Sequence, residues 1–210
     1  MIELHHLNNS RSQRILWLLE ELGLPYEVVR YQRDPATMLA PPALRQVHPL
    51  GKSPVIRDGT EVVAETGAIV EHLLERHGQG RLVPPAGTPD RARYRYWLHF
   101  AEGSAMPPLL VKLYAMRIGG EAAAALLARV DGQLAGLLDY LEAELDGRGY
   151  FAGPALTAAD IMMSFPLEAA VQRGGLDASR PRLWALVNEL QQRPAYRRAL
   201  ERGGPYSFAL

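Results

Sequence analysis

The chain has 210 residues, 48% of them apolar, and its 23 basic residues balance its 23 acidic residues. This length allows one domain or two small ones, and the zero formal charge creates no field that would attract nucleic acid or an anionic membrane. Because the chain has no cysteine, it has no disulfide, thiolate metal site, cysteine nucleophile or CxxC redox pair of its own. No apolar run reaches the length of a membrane span and the N-terminus lacks a signal-peptide pattern, so we expect a soluble, cytoplasmic protein.

The first 80 residues alternate strand-like and helical patterns. "MIELHHL" predicts a strand, and from Arg14 the apolar spacing predicts a helix that Gly23 and Pro25 close. "YEVVRY" predicts a second strand, "SPVIRDGTEVVA" predicts a hairpin around Asp58 and Gly59, and "ETGAIVEHLLERHG" predicts a helix. The order of strand, helix, strand, hairpin and helix indicates an α/β layer domain.

A stretch rich in glycine and proline, "GQGRLVPPAGTPD" at residues 78–90, separates this domain from the rest. After it only helical periodicity is found: "LLARVDGQLAGLLDYLEAEL" carries an apolar stripe. Thr157 and Asp160 form a variant of the capping box, with Leu156 and Ile161 as a hydrophobic staple. We therefore expect an α/β domain over 1–79, a linker over 80–90 and an all-helical bundle over 91–210.

The polar cluster "NNSRSQR" lies between the first strand and the first helix. Ser10 or Ser12 would accept hydrogen bonds from the free backbone N–H groups at the helix start. The same position also stabilises an anion such as a thiolate, because the positive end of the helix dipole lies there and one hydroxyl would donate to the anion. Both interpretations use the same geometry.

Two further segments carry polar groups at predicted element boundaries. Pro54 of "HPLGKSPVI" would begin a strand or stand in a turn, where a cis Ser53–Pro54 bond would expose the Ser53 backbone to an extended peptide. Lys52 beside it would meet a carboxylate, or is an ordinary solvated lysine. In "AETGAI", Thr66 is predicted to cap the next helix, or to bind a ligand carboxylate with the free helix N–H groups while Glu65 pairs with an amino group. Together the three segments suit a charged tripeptide with a thiol.

The sequence resembles the cytosolic glutathione transferase superfamily. "SRSQRILWLLEELGLPYEVV", "HPLGKSPVI", "AETGAI" and "LTAADIMMSFPLE" occur in the order and at the separations of that superfamily, closest to its bacterial and fungal serine-type branch. The resemblance implies a thioredoxin-like N-terminal domain, a C-terminal helical bundle, and a homodimer with its active sites at the cleft between domains and subunits. It also implies a cis peptide bond at Pro54.

The resemblance assigns a set of glutathione contacts. It implies that Ser53 pairs with the cysteinyl main chain of glutathione, that Glu65 with its neighbour holds the γ-glutamyl end, and that Lys52 faces the glycine carboxylate. The complete set of implied glutathione-binding residues is His48, Lys52, Ser53, Pro54, Glu65 and Thr66.

For the reaction, the resemblance implies that Ser10 activates the glutathione thiol, because the serine-type classes show a serine four residues before an arginine and Arg14 completes that spacing. Asn9 and Ser12 share the same turn and remain alternatives. The implied reaction is attack of the thiolate on small hydrophobic electrophiles, as in detoxification, with glutathione as co-substrate and no permanently bound cofactor. No metal site is expected, since the two adjacent histidines of the first strand adjoin no other ligand type.

The electrophile would lie against apolar residues of the helical domain. Met106, Leu110 and Tyr114 are the candidates, and the tail "GGPYSFAL" is another, although apolar residues at helical spacing also indicate a core. Two alternatives to glutathione transfer stay open, because one fold hosts several functions. They are glutathione-dependent reduction of peroxides or disulfides, and a glutathione-binding module without turnover.

Overall fold

The computed structural model describes residues 1–210 except for the side chain of residue 122. The chain forms two compact units, Met1–Leu82 together with Gln191–Ala209, and Val83–Leu190 with Leu210. Within the described part of the chain, no helix is both long enough and apolar enough to cross a membrane.

The first unit contains a four-stranded sheet. Its elements are β1 (Ile2–Leu7), α1 (Ser12–Leu22), β2 (Tyr26–Tyr31), a 3-10 helix (Pro42–Gln46), β3 (Val55–Asp58), β4 (Glu61–Ala64) and α2 (Thr66–His77). The strand order is β2-β1-β3-β4, in which β1 and β2 are parallel and β3 is antiparallel to both of its neighbours. The predicted order of elements and the thioredoxin-like arrangement are confirmed.

Local chemistry explains the boundaries of these elements. Helix α1 stops where Gly23 takes a φ of 62°, a left-handed conformation that costs glycine little. The β3–β4 hairpin turns at Gly59, whose φ is 63°. Strand β1 lies in the middle of the sheet and is buried apart from Glu3, so its two histidines, His5 and His6, occupy core positions.

The second unit is helical, as predicted. It contains α3 (Pro89–Phe100), a π-helical segment (Ala101–Ala105), α4 (Met106–Ile118), α5 (Gly120–Glu144), α6 (Ala158–Arg173) and most of α7 (Pro181–Gln192). The carboxylate of Asp160 accepts hydrogen bonds from Thr157 N and Thr157 Oγ1, both at 2.8 Å, and from Phe151 N at 2.9 Å. The predicted apolar stripe is buried at Val130, Leu134, Leu138 and Leu141 of α5 and at Leu145, the residue that caps it.

The last helix, α8 (Pro194–Gly203), belongs to the first unit, although the helical periodicity predicts one bundle over 91–210. Its buried Tyr196 meets Trp17 of α1 edge to face, with ring centroids 5.4 Å apart. Arg198 pairs with Glu20 of α1 at 2.7 Å. Helical periodicity shows which face of a helix is apolar but not which element covers it, so the sequence pattern could not reveal this return of the chain.

Candidate functional site

Strand register brings the three predicted polar segments to one edge of the sheet. His5 near the end of β1 lies opposite Val55, the first residue of β3, and Val55 lies opposite Ala64, the last residue of β4. The segments that follow β1, precede β3 and follow β4 therefore all leave the sheet at the same edge. These are the segments that contain Ser10 and Ser12, Ser53 and Pro54, and Glu65 and Thr66.

Ser10 and Ser12 form a buried pair of hydroxyls at the start of α1. Their Oγ atoms are 2.8 Å apart, and Ser12 N donates to Ser10 Oγ at 3.2 Å. Ser10 is 5% exposed and Ser12 is fully buried. Helix α1 begins at Ser12, two residues before the predicted start at Arg14; its N-cap is Arg11, and Ser10 directly precedes that cap.

Ser12 is in turn bonded to His6 of β1, a contact that sequence reasoning missed. Ser12 Oγ lies 2.8 Å from His6 Nδ1. The pKa of His6 is lowered to about 4, mainly by burial and to a smaller extent by the charge of Arg30, and a hydrogen bond to the backbone of Gly203 opposes the shift. His6 is therefore neutral near pH 7, and one of its ring nitrogens accepts.

Ser53 reaches the same end of β1 from the other side. The Ser53–Pro54 peptide bond is cis, as expected. Ser53 Oγ donates to His5 O at 2.8 Å and accepts from Leu7 N at 3.2 Å. Leu7 N also approaches Ser12 Oγ at 3.3 Å, so one backbone amide connects Ser53 with Ser12. We call Ser10, Ser12 and Ser53 the serine cluster.

Helix α2 begins differently from the prediction, which made Thr66 its N-cap. The N-cap is Glu65, with φ 68° and ψ 125°, and Thr66 is the first helical residue. Only one residue separates the end of β4 from the start of α2, so the chain has to reverse at Glu65, which explains the rare positive φ of a non-glycine residue. The first hydrogen bond into α2 runs from Ile69 N to Glu65 O, leaving the preceding N–H groups of the helix without an intrahelical acceptor.

Charged groups at this edge have no partner in the part of the chain that the structure describes. Lys52 and Glu65 are exposed, and the structure records no hydrogen bond or ion pair for either side chain. We call them the charged pair. Thr66 is buried, but its hydroxyl likewise has no recorded partner among the described residues. His48 is half-buried and its Nδ1 accepts from Leu50 N at 3.4 Å.

Asn9, an alternative to Ser10, is bound to the C-terminal segment. It has a positive φ of 50°, and its Oδ1 accepts from Ser207 N at 2.8 Å. The structure thus commits the Asn9 side-chain oxygen and buries the hydroxyl of Ser12 completely. Ser10 Oγ lies next to the helix start and keeps hydrogen-bonding capacity beyond its contacts with Ser12.

The residues predicted to contact an electrophile lie in α4 and differ in exposure. Met106 is 1% exposed and belongs to the core of the second unit, whereas Leu110 is half-buried and Tyr114 is 57% exposed. Two open cavities of about 550 and 380 Å³ were found in this unit. None of the three predicted residues lines either cavity; the larger is lined by Ala92, Arg95, Tyr96, His99, Phe100, Gly103 and Ser104.

Comparison with known proteins gives matches along the chain. Residues 10–76 match the family described as "Glutathione S-transferase, N-terminal domain", and residues 124–189 match "Glutathione S-transferase, C-terminal domain". The chain is 36% identical to Glutathione S-transferase 3 of Schizosaccharomyces pombe, with 96% of this chain and 88% of the relative covered.

Solved structures give the same result. A glutathione S-transferase from Actinobacillus pleuropneumoniae is 34% identical, with a TM-score of 0.87 over 99% of this chain and 95% of that one. A sphingomonad glutathione S-transferase complexed with glutathione is 26% identical, with a TM-score of 0.78 over 96% of this chain and 98% of that one.

Proposed function

We propose that this chain, which belongs to the glutathione S-transferase family, activates the thiol of glutathione beside Ser10 and transfers it to small hydrophobic electrophiles. Membership of the family makes the chain a glutathione transferase with glutathione as co-substrate. The proposal concerns the residues, the mechanism and the second substrate. The observation that carries it is the Ser10 hydroxyl, which accepts from the first N–H of α1 at the sheet edge that also holds Ser53 and Glu65.

The chemical task is to ionise a thiol near neutral pH. A thiol with a pKa near 8.5 is only about 3% thiolate at pH 7, and the thiolate is the nucleophile. Lowering that pKa by about 2 units requires about 2.7 kcal/mol of preferential stabilisation of the thiolate. A charge-assisted hydrogen bond contributes about 1.5 to 3 kcal/mol and a helix N-terminus up to about 2 kcal/mol. Ser10 as hydrogen-bond donor and α1 together meet this requirement.

The rest of glutathione is proposed to bind along the same edge. The backbone of Ser53 pairs with the cysteinyl main chain, and Pro54 holds that corner. Glu65 pairs with the γ-glutamyl amino group, while Thr66 and the free N–H groups of α2 receive the γ-glutamyl carboxylate. Lys52, with His48 nearby in sequence, attracts the glycine carboxylate. The absence of a protein partner for the charged pair, within the described residues, supports this role.

The electrophile and the homodimer are proposals of the same kind. Leu110 and Tyr114 present apolar surface on α4, so we retain them as electrophile contacts, whereas the burial of Met106 supports a packing role. Replacing Tyr114 by Ala should raise KM for a hydrophobic electrophile and leave KM for glutathione unchanged. Sedimentation equilibrium at micromolar concentration tests the dimer, and a monomer would contradict it.

The thiolate absorbance of bound glutathione, measured against pH, tests the central proposal. In the wild type the thiol pKa should lie about 2 units below its free value, and Ser10→Ala should raise it. If the thiol pKa were depressed equally in both proteins, Ser10 would not be the donor. If glutathione bound with an unshifted thiol pKa, the chain would not activate its substrate in this way.

A further inference from the structure

The hydroxyl of Ser10 ends a buried chain of hydrogen bonds that runs back to the last residue of α8. The chain passes from Ser10 Oγ to Ser12 Oγ, from Ser12 Oγ to His6 Nδ1, and from His6 to the backbone of Gly203. The three side chains are at most 5% exposed, so solvent does not compete for these bonds.

The donor and acceptor of each hydrogen bond in this series follow from the bond between His6 and Gly203. A Cβ atom added to Gly203 would lie 3.3 Å from His6 Nε2, which identifies Nε2 as the nitrogen beside Gly203. The hydrogen bond with the backbone of Gly203 raises the pKa of His6, so it stabilises a proton on the ring, and the backbone group that can do this is the carbonyl. We infer that Nε2 carries the hydrogen and donates it to that carbonyl. The ring is neutral, so Nδ1 has a lone pair and must accept.

This tautomer determines to which atom each serine donates its hydroxyl hydrogen. Ser12 has one hydroxyl hydrogen, and its 2.8 Å contact with His6 Nδ1 is shorter than its 3.3 Å contact with Leu7 O. Ser12 therefore donates to His6 and has only lone pairs left for Ser10. With the two Oγ atoms 2.8 Å apart, Ser10 must donate to Ser12 in the free protein. The outward side of Ser10 Oγ is then an acceptor.

We propose that His6 is a positioning residue for the thiol site, because it orients the Ser10–Ser12 pair so that Ser12 and the glutathione thiolate compete for the single hydroxyl hydrogen of Ser10. This inference rests on the proposed role of Ser10. A thiol meets an acceptor when it first binds, since its S–H can donate to Ser10 Oγ. The thiolate accepts a hydrogen bond from Ser10 only when Ser10 no longer donates to Ser12. His6 and Ser12 thus hold the thiol pKa above the value that an unpaired serine would give.

Removing one hydrogen bond of the series from Ser10 to Gly203 should lower the thiol pKa of bound glutathione. In Ser12→Ala, Ser10 has no inner acceptor and turns its hydrogen outward. In His6→Phe, the Ser12 hydrogen turns to Ser10 Oγ, which at 2.8 Å is nearer than Leu7 O at 3.3 Å, and the Ser10 hydrogen is again released. Both variants should show a thiol pKa about one unit below that of the wild type, because one hydrogen bond no longer competes.

The measurement is thiolate absorbance against pH, with Ser164→Ala as matched control. Ser164 is also a buried serine, and it donates to Ile161 O within α6, so its loss should not move the thiol pKa. An unchanged or raised thiol pKa in Ser12→Ala would overturn the inference, and this small substitution carries the test even if His6→Phe does not fold. If Ser10→Ala leaves the thiol pKa unchanged, the proposed function itself fails. If Ser10→Ala raises it while Ser12→Ala does not lower it, only the inference fails.

Discussion

The serine cluster and the charged pair lie at the same sheet edge but differ in how they are bonded. Ser10, Ser12 and Ser53 are bonded to one another or to β1; Ser10 and Ser12 are buried, and Ser53 is half-buried. Lys52 and Glu65 are exposed and have no partner among the described residues. The residues proposed to bind the reacting sulfur therefore also stabilise the fold through their hydrogen bonds, whereas the residues proposed to bind the charges of the ligand do not. Changes in the serine cluster should cost stability, and changes in the charged pair should cost affinity.

The largest expected effect concerns the pH dependence of stability. The pKa of His6 is about 4 in the folded protein, against about 6.5 in an unfolded chain, so the unfolded chain binds more protons between these values. The free energy of unfolding should therefore fall as the pH drops from about 6.5 towards 4, by about 3 kcal/mol in total from this group. Denaturant unfolding at several pH values measures it.

The matched variant for this experiment is His6→Gln, which does not titrate in that range. Its absolute stability is not the readout. The slope of unfolding free energy against pH should be shallower than in the wild type, and equal slopes would show that the folded protein does not lower the pKa of His6.

The next largest effect is a loss of stability when Ser53 is replaced, compared with the replacement of an exposed serine. Ser53→Ala removes a hydroxyl that donates to His5 O and accepts from Leu7 N, so it should lower the free energy of unfolding by about 1 to 2 kcal/mol. Ser104→Ala, at an exposed serine of the second unit, should change it little. Urea titration compares the two, and equal stabilities would remove the distinction between an enclosed and an open part of the site.

Glu65 offers a test that separates stability from affinity. Glu65→Ala and Glu65→Gly both remove the proposed partner of the γ-glutamyl amino group, so each should raise KM for glutathione about tenfold. Glycine tolerates the φ of 68° that alanine does not, so Glu65→Gly should be about 1 kcal/mol more stable than Glu65→Ala. Steady-state kinetics and thermal unfolding of the two variants give both quantities, and an unchanged KM would remove Glu65 from the site.

The smallest effect is expected at Lys52. Lys52→Met should raise KM for glutathione about threefold at low ionic strength, because an exposed ion pair contributes little. The difference from the wild type should shrink as salt is added. A loss of thermal stability in this variant would contradict the assignment of Lys52 to the charged pair.

Features that depend on neighbouring residues could be predicted from the sequence. The α1 stop at Gly23, the β3–β4 hairpin at Gly59 and the interaction of Thr157 with Asp160 are all local, and each was found as expected. The reversal at Glu65 was missed because it follows from the single-residue connection between β4 and α2, not from the preference of glutamate.

Contacts between distant parts of the chain could not be predicted. His6 and Gly203 are 197 positions apart, and a histidine in an apolar strand carries no signal of the partner that will fix its tautomer. The same holds for α8, whose apolar face was visible but whose packing on α1 was not. The roles of His48, Lys52, Ser53, Glu65 and Thr66 stay predictions, because they concern a ligand.

The return of α8 to the first unit has a consequence for the order of events during protein synthesis. A ribosome makes residues 1–82 first, then the whole of 83–190, and only afterwards the helix that covers Trp17 and supplies the carbonyl that His6 bonds. A nascent chain with its N-terminal sheet already exposed to the cell therefore carries an unfinished core, whose buried tyrosine and last hydrogen-bond acceptor arrive more than a hundred residues later. Folding of the first unit should therefore be completed only after translation of α8.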